Sequence, residues 1–196
     1  MGRLAVQQLL EQGHQVTAFA RSPEKLSLRS DELTLHRGDA TDPLAVSKAV
    51  RGHDAVVVAL GAGASRKSRI RSQGTMTVIQ AMQEHGVKRL ICQSTLGAHE
   101  SWSNLNFFWK RIMFGALLRP VFQDHELQEQ LVRASGLDWT IVRPSAFTDA
   151  PGNGLYREGF PPQDRKLRLK IPRADVAGFL TRQVHEAKYL RQAVAI

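Results

Sequence analysis

The chain has 196 residues, 42% of them hydrophobic and 23% charged, a composition typical of a globular protein that buries a core without disulfides or metals. Its single cysteine, Cys92, excludes an internal disulfide and fits a cytoplasmic location. The formal net charge of +9 predicts an anionic partner.

Two basic clusters, "SRKSRIRS" and "DRKLRLKIPR", carry much of this charge and fall in predicted loops. No recognition-helix, RNP or zinc pattern accompanies them, so we expect a solvated face that attracts a phosphorylated ligand rather than nucleic acid. The most apolar stretch, "LNFFWKRIMFGALL", is too short to span a bilayer and contains Lys110 and Arg111. We therefore expect a soluble protein with no membrane partner, folded as one domain over residues 1–196.

The chain opens with a helical pattern rather than a strand. Leu4, Val6, Leu9 and Leu10 recur at helical spacing, and the glycine of "EQGH" ends the helix before "VTAFA", which predicts a buried strand. A helix, a glycine turn and a strand form the second half of a βαβ unit. We therefore expect the first strand, and most of the loop before Gly2, to be missing from this sequence.

Strand-like and helix-like stretches then alternate to the C-terminus. The predicted strands are "LTLHRGDATD", "DAVVVALGAG", "KRLICQSTLGA", "DWTIVRPSAF" and "AVAI". The predicted helices are "PLAVSKAV", "GTMTVIQAMQEHGV", "VFQDHELQEQLVRASGL" and "RADVAGFLTRQVHE". Apolar strands that alternate with helices predict an α/β fold, a doubly wound parallel sheet covered on both faces.

Ligands of such sheets bind beyond the carboxyl ends of the strands. That rule selects the residues that follow each predicted strand: Arg21, Asp39, Gly61, Ser94 and Pro144.

Arg21 stands where a dinucleotide fold reads the adenosine ribose, and an arginine there suits the 2′-phosphate of NADP. Lys25 adds a second positive charge; the alternative is a solvated arginine at a strand end. Asp39 and Ala40 would lie beside the adenine, although Asp39 also fits an Asx turn. Gly61 allows the backbone to approach a ligand closely.

Several stretches together resemble one protein family across almost the whole chain: "GRLAVQQLLEQGHQVTAFARSPEKL", "GDATDP", "DAVVVALG", "GVKRLICQST" and "SGLDWTIVRPSAFTD". They resemble the atypical short-chain dehydrogenases/reductases, and within these the NAD(P)H-binding group of biliverdin-IXβ/flavin reductase and the NmrA-like proteins. The resemblance implies a seven-stranded Rossmann-like sheet with a GxxGxxG loop after its first strand.

The resemblance also implies roles for individual residues. Gly2 matches the third glycine of the loop, which lets helix and strand pack closely. Arg21 and Lys25 match contacts to the 2′-phosphate; Asp39, Leu60 and Gly61 match contacts to the adenine and ribose. Ser94 matches a serine near the nicotinamide, and we include Thr95 and Pro144 among the predicted cofactor contacts. The implied cofactor is NADP(H).

The predicted active site departs from the wider superfamily. Val121 and His125 occupy the positions of its catalytic Tyr-x-x-x-Lys pair, and neither tyrosine of the chain is near that helix. The missing phenol argues against alcohol dehydrogenase and sugar epimerase chemistry. His125 is either a residue that orients an acidic substrate or relays a proton, with a pKa near neutrality, or a paired helix histidine. Ser94 and His125 are the predicted catalytic residues, with Ser94 a ligand contact rather than a nucleophile.

The aromatic stretch "SWSNLNFFWKRIMFGALLRPVF" lies where this fold places its substrate loops. Its rings either stack on a flat acceptor or serve as lid packing or a subunit contact.

We expect an NADPH-dependent reductase that passes hydride to a flat conjugated acceptor such as a flavin, a quinone or a biliverdin-like molecule. The alternative is a non-catalytic NmrA-like redox sensor that binds NADP(H). We also expect Met1 to be an internal residue of a longer product, and the chain expressed alone to be poorly soluble or unable to bind NADPH.

Overall fold

The computed structural model describes residues 1–63, 65, 67–164, 167 and 169–196. The helices are α1 (Gly2–Glu11), α2 (Pro43–Val50), α3 (Ile70–His85), α4 (Arg119–Ala134) and α5 (Arg173–Arg182). The strands are β1 (Val16–Ala20), β2 (Leu33–Arg37), β3 (Ala55–Val58), β4 (Arg89–Gln93), β5 (Asp138–Arg143), β6 (Ala146–Thr148), β7 (Lys170–Pro172) and β8 (Gln192–Ala195). Pro23–Leu26 and His99–Asn104 form 3-10 turns, and Phe108–Leu117 forms a π-helix.

The alternation of strands and helices predicted from the apolar pattern is confirmed, and the strands pair in parallel. The short β6–β7 pair was not predicted. The basic clusters are not confined to loops, because "SRKSRIRS" runs into α3 and "DRKLRLKIPR" runs through β7 into α5. Four of their residues lie outside the described part of the chain: Arg66, Arg165, Lys166 and Arg168.

Helix α3 begins at Ile70, earlier than the apolar pattern predicts, because a carboxylate from another helix caps it. Asp124 of α4 accepts hydrogen bonds from the backbone N–H groups of Arg71 and Ser72, both at 3.1 Å, and from the Ser72 hydroxyl at 2.6 Å. The first N–H groups of a helix have no partner within it, so this acceptor stabilises the start of α3.

Apart from the short β6–β7 pair, the strands form two separate parallel sheets on either side of a gap. β1 pairs with β2, and β3, β4, β5 and β8 form a four-stranded sheet in that order. No ladder joins β1 to β3. A cleft of about 910 Å³ runs between them, with both strands and one side of α1 in its walls. The continuous seven-stranded sheet that the resemblance implies is therefore divided in this structure.

Side chains connect the two parts where the ladder is interrupted. Gln8 of α1 donates to the Ala174 carbonyl of α5, and Gln12, which follows α1, donates to the Thr181 hydroxyl of α5, both at 3.1 Å. Nε2 of His53 lies 2.9 Å from Oγ1 of Thr17, across one end of the cleft. The resemblance assigns the place between β1 and β3 to a strand that precedes Gly2, and the expectation of a longer product stays a prediction.

Within the described part of the chain, no helix is both long and apolar enough to cross a bilayer.

We predict that the amide hydrogens of Thr17 and Phe19 exchange with deuterium roughly tenfold or more faster than that of Ala18. Val16 donates to Glu32 and Ala20 accepts from Gly38, so the even-numbered residues of β1 bond to β2. The odd-numbered residues therefore present their backbone groups to the cleft. Hydrogen exchange followed by NMR measures the three rates.

Ala18 is the internal control, since it lies in the same strand. Equal protection of all three amides would contradict the open edge. In a chain extended ahead of Met1 by a Val/Ile-rich strand and a glycine turn, we expect Thr17 and Phe19 to become protected.

Candidate functional site

The carboxyl ends of β1, β2 and β3 bring six of the predicted cofactor residues to one cleft. β1 ends at Ala20, β2 at Arg37 and β3 at Val58, so the residues that follow them lie at the same edge. The predicted residues that line the cleft are Gly2, Arg21, Asp39, Ala40, Leu60 and Gly61. Lys25 lies nearby in the 3-10 turn after Arg21, exposed and outside the lining.

Asp39 is held in a turn at this edge by hydrogen bonds from Thr41, and the charge of Arg21 acts on it more weakly. The backbone N–H and the hydroxyl of Thr41 donate to Asp39 Oδ1 at 2.9 and 2.7 Å. These hydrogen bonds, together with the positive charge of Arg21, hold the pKa of Asp39 below its ordinary value. The Asx-turn interpretation of Asp39 is confirmed, and its charge lies near that of Arg21.

Glycines keep the backbone around the cleft accessible. A Cβ atom on Gly61 or Gly2 would meet no heavy atom within 4 Å, so neither position is crowded by the described residues. The close helix–strand packing predicted at Gly2 is therefore not seen here. Gly74 of α3 is the opposite case, since its Cβ would lie 2.7 Å from Leu60 Cδ1 and 3.0 Å from Ala40 Cβ. The sequence analysis missed Gly74, which lets α3 approach the strand ends.

Ser94, Thr95 and Pro144 lie at the ends of β4 and β5, outside the lining of the cleft. The Ser94 N–H donates to the Val142 carbonyl at 2.7 Å, and the Leu96 N–H donates to the Pro144 carbonyl at 3.0 Å. Ser94 Oγ is buried and has no hydrogen-bond partner among the described residues. A buried hydroxyl without a partner is costly, so this atom is a candidate to contact a ligand.

His125 is buried between α4 and α3 and is neutral. Its Nδ1 lies 3.3 Å from Gln128 Oε1, while Gln128 Nε2 donates to the Thr75 hydroxyl at 2.9 Å. Because Gln128 presents its oxygen, the ring donates from Nδ1. Burial lowers the pKa of His125 to about 3, and the charge of Arg71 lowers it further. The expectation that this ring titrates near neutrality is therefore wrong.

A buried ion pair holds the end of β5, and the sequence analysis missed it. Arg143 Nε and Nη2 donate to the two carboxylate oxygens of Glu129 at 2.9 and 2.5 Å, and Arg143 Nη1 lies 2.9 Å from Glu100 Oε1. Burial alone would raise the pKa of Glu100, but hydrogen bonding and charge from Arg143 and Arg133 hold it at about 2. An arginine that ends an otherwise apolar strand was the available signal.

The aromatic stretch divides into an inner cluster and an outer pair. Phe114 stacks on Phe122 with ring centroids 4.8 Å apart, and Trp102 and Trp109 pack against them. Phe107 and Phe108 are exposed. The packing interpretation fits the inner rings.

Comparison with known proteins gives consistent results. The sequence profile described as NAD(P)H-binding matches residues 1–187. The UPF0659 protein YMR090W of Saccharomyces cerevisiae is 30% identical over 143 residues, which cover 69% of this chain and 58% of that protein. The chain thus spans less than two thirds of the length of this curated relative.

Two solved structures share the fold. A short-chain dehydrogenase/reductase from Veillonella parvula in complex with NADP superposes with a TM-score of 0.81 at 17% identity, covering 99% of this chain and 87% of that one. ChuY, an anaerobilin reductase from Escherichia coli O157:H7, superposes with a TM-score of 0.76 at 23% identity, covering 98% and 88%. The Rossmann-like fold and the resemblance to atypical short-chain dehydrogenases/reductases are confirmed, and the chain belongs to the NAD(P)H-binding family.

Proposed function

We propose that the chain is a cytoplasmic NADPH-dependent reductase that delivers hydride to a flat conjugated acceptor such as a flavin, a quinone or a biliverdin-like molecule. The observation that carries the proposal is Arg21 at the end of β1, exposed at the mouth of the cleft. A guanidinium there can hold a 2′-phosphate through two hydrogen bonds, a contact that the 2′-hydroxyl of NADH does not offer. The NADP bound to the Veillonella parvula relative supports the choice.

The residues present fit a dinucleotide phosphate. Arg21 and Lys25 supply positive charge at the adenosine end, and Gly61 leaves its backbone open to a close approach. Ser94 Oγ, which has no hydrogen-bond partner among the described residues, would contact the nicotinamide end of the cofactor from the end of β4. The cofactor supplies the hydride, and these residues bind and orient it.

We propose this class of acceptor because the chain lacks a tyrosine at the position of the superfamily's catalytic phenol. Position 121 on α4 is a valine, and the two tyrosines of the chain, Tyr156 and Tyr189, pack against Phe179 of α5 instead. A conjugated ring system that takes hydride needs no phenol to protonate a carbonyl oxygen. ChuY, whose described activity is anaerobilin reduction, supports a flat acceptor of this class.

The second candidate is an NADP(H)-binding redox sensor without turnover. It is favoured by the buried, neutral imidazole of His125, which is already hydrogen-bonded to Gln128. We keep His125 as a proposed catalytic residue, but its neutral ring already donates to Gln128 and can only accept at its remaining nitrogen. Measuring NADPH absorbance with the protein extended ahead of Met1, in the presence of FMN, a quinone or biliverdin, separates the two candidates. Turnover with any of the three supports the reductase, and tight NADPH binding without turnover supports the sensor.

We predict that Arg21→Ala weakens NADPH binding about 10- to 100-fold and leaves NADH binding nearly unchanged. A charge-assisted hydrogen bond contributes about 1.5–3 kcal/mol, which corresponds to that range of Kd. Isothermal titration calorimetry with both cofactors, on the chain extended ahead of Met1 by a Val/Ile-rich strand and a glycine turn, measures the two affinities.

Arg51→Ala is the matched control for this variant. Arg51 is also exposed but follows α2, at the opposite edge of the sheet, so its removal changes the net charge by the same amount without touching the site. An equal loss of NADPH and NADH affinity in Arg21→Ala would show that Arg21 is structural.

We predict that His125→Asn makes the protein less sensitive to acid. The pKa of the buried ring is about 3, below its ordinary 6.5, so the unfolded chain binds a proton between these values that the folded chain does not. Stability is therefore lost as the pH falls below 6.5. Asn retains a donor for Gln128 and has no such proton.

Urea unfolding at pH 7 and pH 5 measures this difference. We expect the parent to lose about 2 kcal/mol more than the variant between these two conditions. Identical losses would contradict a buried neutral imidazole in the folded state. Any other histidines contribute equally to both proteins and cancel in the comparison.

A further inference from the structure

The segment that enters α4 carries large apolar side chains on its outer surface. Phe107 is 73% exposed, Phe108 52%, Ile112 45% and Leu117 48%. We call these four residues the apolar ridge. Scattered exposed apolar residues are ordinary, but four on one short segment are not.

The π-helix aligns most of the ridge on one face. In a π-helix each N–H bonds to the carbonyl five residues earlier, as the Leu118 N–H does with the Met113 carbonyl at 2.7 Å. Residues four or five positions apart therefore share a face, which places Phe108, Ile112 and Leu117 in one row. Phe114 lies on the other side, against Phe122 in the core. Because the inner face of the π-helix is already packed, the side chains of the ridge cannot be buried against the protein core.

Positive charge accompanies the ridge. Lys110, Arg111 and Arg119 lie within it or next to it, with Arg111 and Arg119 exposed. Residues 101–123 contain no aspartate or glutamate. Apolar side chains beside basic ones, without acidic residues, are typical of helices that lie in the interface of an anionic bilayer.

We propose that the apolar ridge docks the protein on the surface of a membrane that contains anionic lipid, which departs from the expectation of no membrane partner that was drawn from the lack of a spanning segment. Phe107 and Phe108 insert among the acyl chains near the headgroups, and the exposed side chains of Arg111 and Arg119 contact the lipid phosphates. The π-helix has 10 residues and lies on the membrane rather than spanning it. This surface association does not depend on which cofactor or acceptor the protein uses.

Charge favours a bilayer over a second copy of the chain as the occupant. A two-fold interface repeats the same surface on both sides, so Arg111 would face the positive charges of an identical segment. The strongly exposed phenylalanines project from the surface, and a soft bilayer interface receives such side chains without a preformed groove.

Co-sedimentation with lipid vesicles tests the proposal. We expect the protein to bind vesicles of phosphatidylcholine and phosphatidylglycerol mixed at about two to one, and to bind phosphatidylcholine alone at least roughly tenfold more weakly. The double variant F107S/F108S is expected to lower the partition coefficient on the mixed vesicles about tenfold or more. Circular dichroism and thermal melting check that the variant folds, and Ile112→Ser provides a second, smaller change on the same row.

Two matched controls separate the ridge from general hydrophobicity and charge. Leu44→Ser removes a residue that is 75% exposed on α2, and it should leave binding unchanged. R111Q/R119Q should weaken binding about tenfold, and R29Q/R51Q, with the same change in net charge, should weaken it less.

Three results would overturn the proposal. The first is F107S/F108S binding as tightly as the parent, which would leave only a general attraction of a basic protein for anionic lipid. The second is equal binding to both kinds of vesicle. The third is a dimer by light scattering that F107S/F108S converts to a monomer, without vesicle binding, which would assign the ridge to a second copy.

Discussion

The candidate site depends on parallel strands that end side by side, and here that edge is divided between two sheets. Arg21 and Asp39 follow the β1–β2 pair, whereas Ser94 and Pro144 follow the four-stranded sheet. Helix packing and side-chain hydrogen bonds, rather than a strand ladder, hold these two groups at their distance. Each such hydrogen bond contributes about 1 kcal/mol to stability. An extended segment paired to both edges would fix the separation of these two groups of residues.

The polar face of α4 fixes the part of this edge that belongs to the larger sheet. Asp124 caps α3. His125 is hydrogen-bonded to Gln128, which donates in turn to Thr75. Glu129 neutralises Arg143 at the end of β5. Removing one member of a buried ion pair costs about 3–5 kcal/mol because the other charge remains buried. The positions of Ser94 and Pro144 therefore depend on the buried ion pair between Glu129 and Arg143.

The sequence predicted what short-range patterns determine. Apolar runs located the strands, and strand ends selected Arg21, Asp39 and Gly61, which do line one cleft. What depends on distant partners was not predictable. The start of α3 is set by a carboxylate 52 residues away in the chain, and the pKa of His125 by burial against another helix. The π-helical winding of Phe108–Leu117 has no local signature in the order of its residues, so the row on its outer face could not be foreseen.

The net charge of +9 is best understood by asking where each cation is used. The charge of Arg143 is neutralised by Glu129. Arg89 donates hydrogen bonds to the carbonyls of Gln183 and Asp138. Both guanidinium groups therefore stabilise the larger sheet. The exposed cations at Arg21 and at Arg111 lie on different elements and have different neighbours, a carboxylate turn in one case and phenylalanines in the other. Under the two proposals made above, Arg21 and Arg111, each beside a chemically different surface, would serve two different anions, a dinucleotide phosphate at the strand ends and a lipid phosphate beside the apolar ridge.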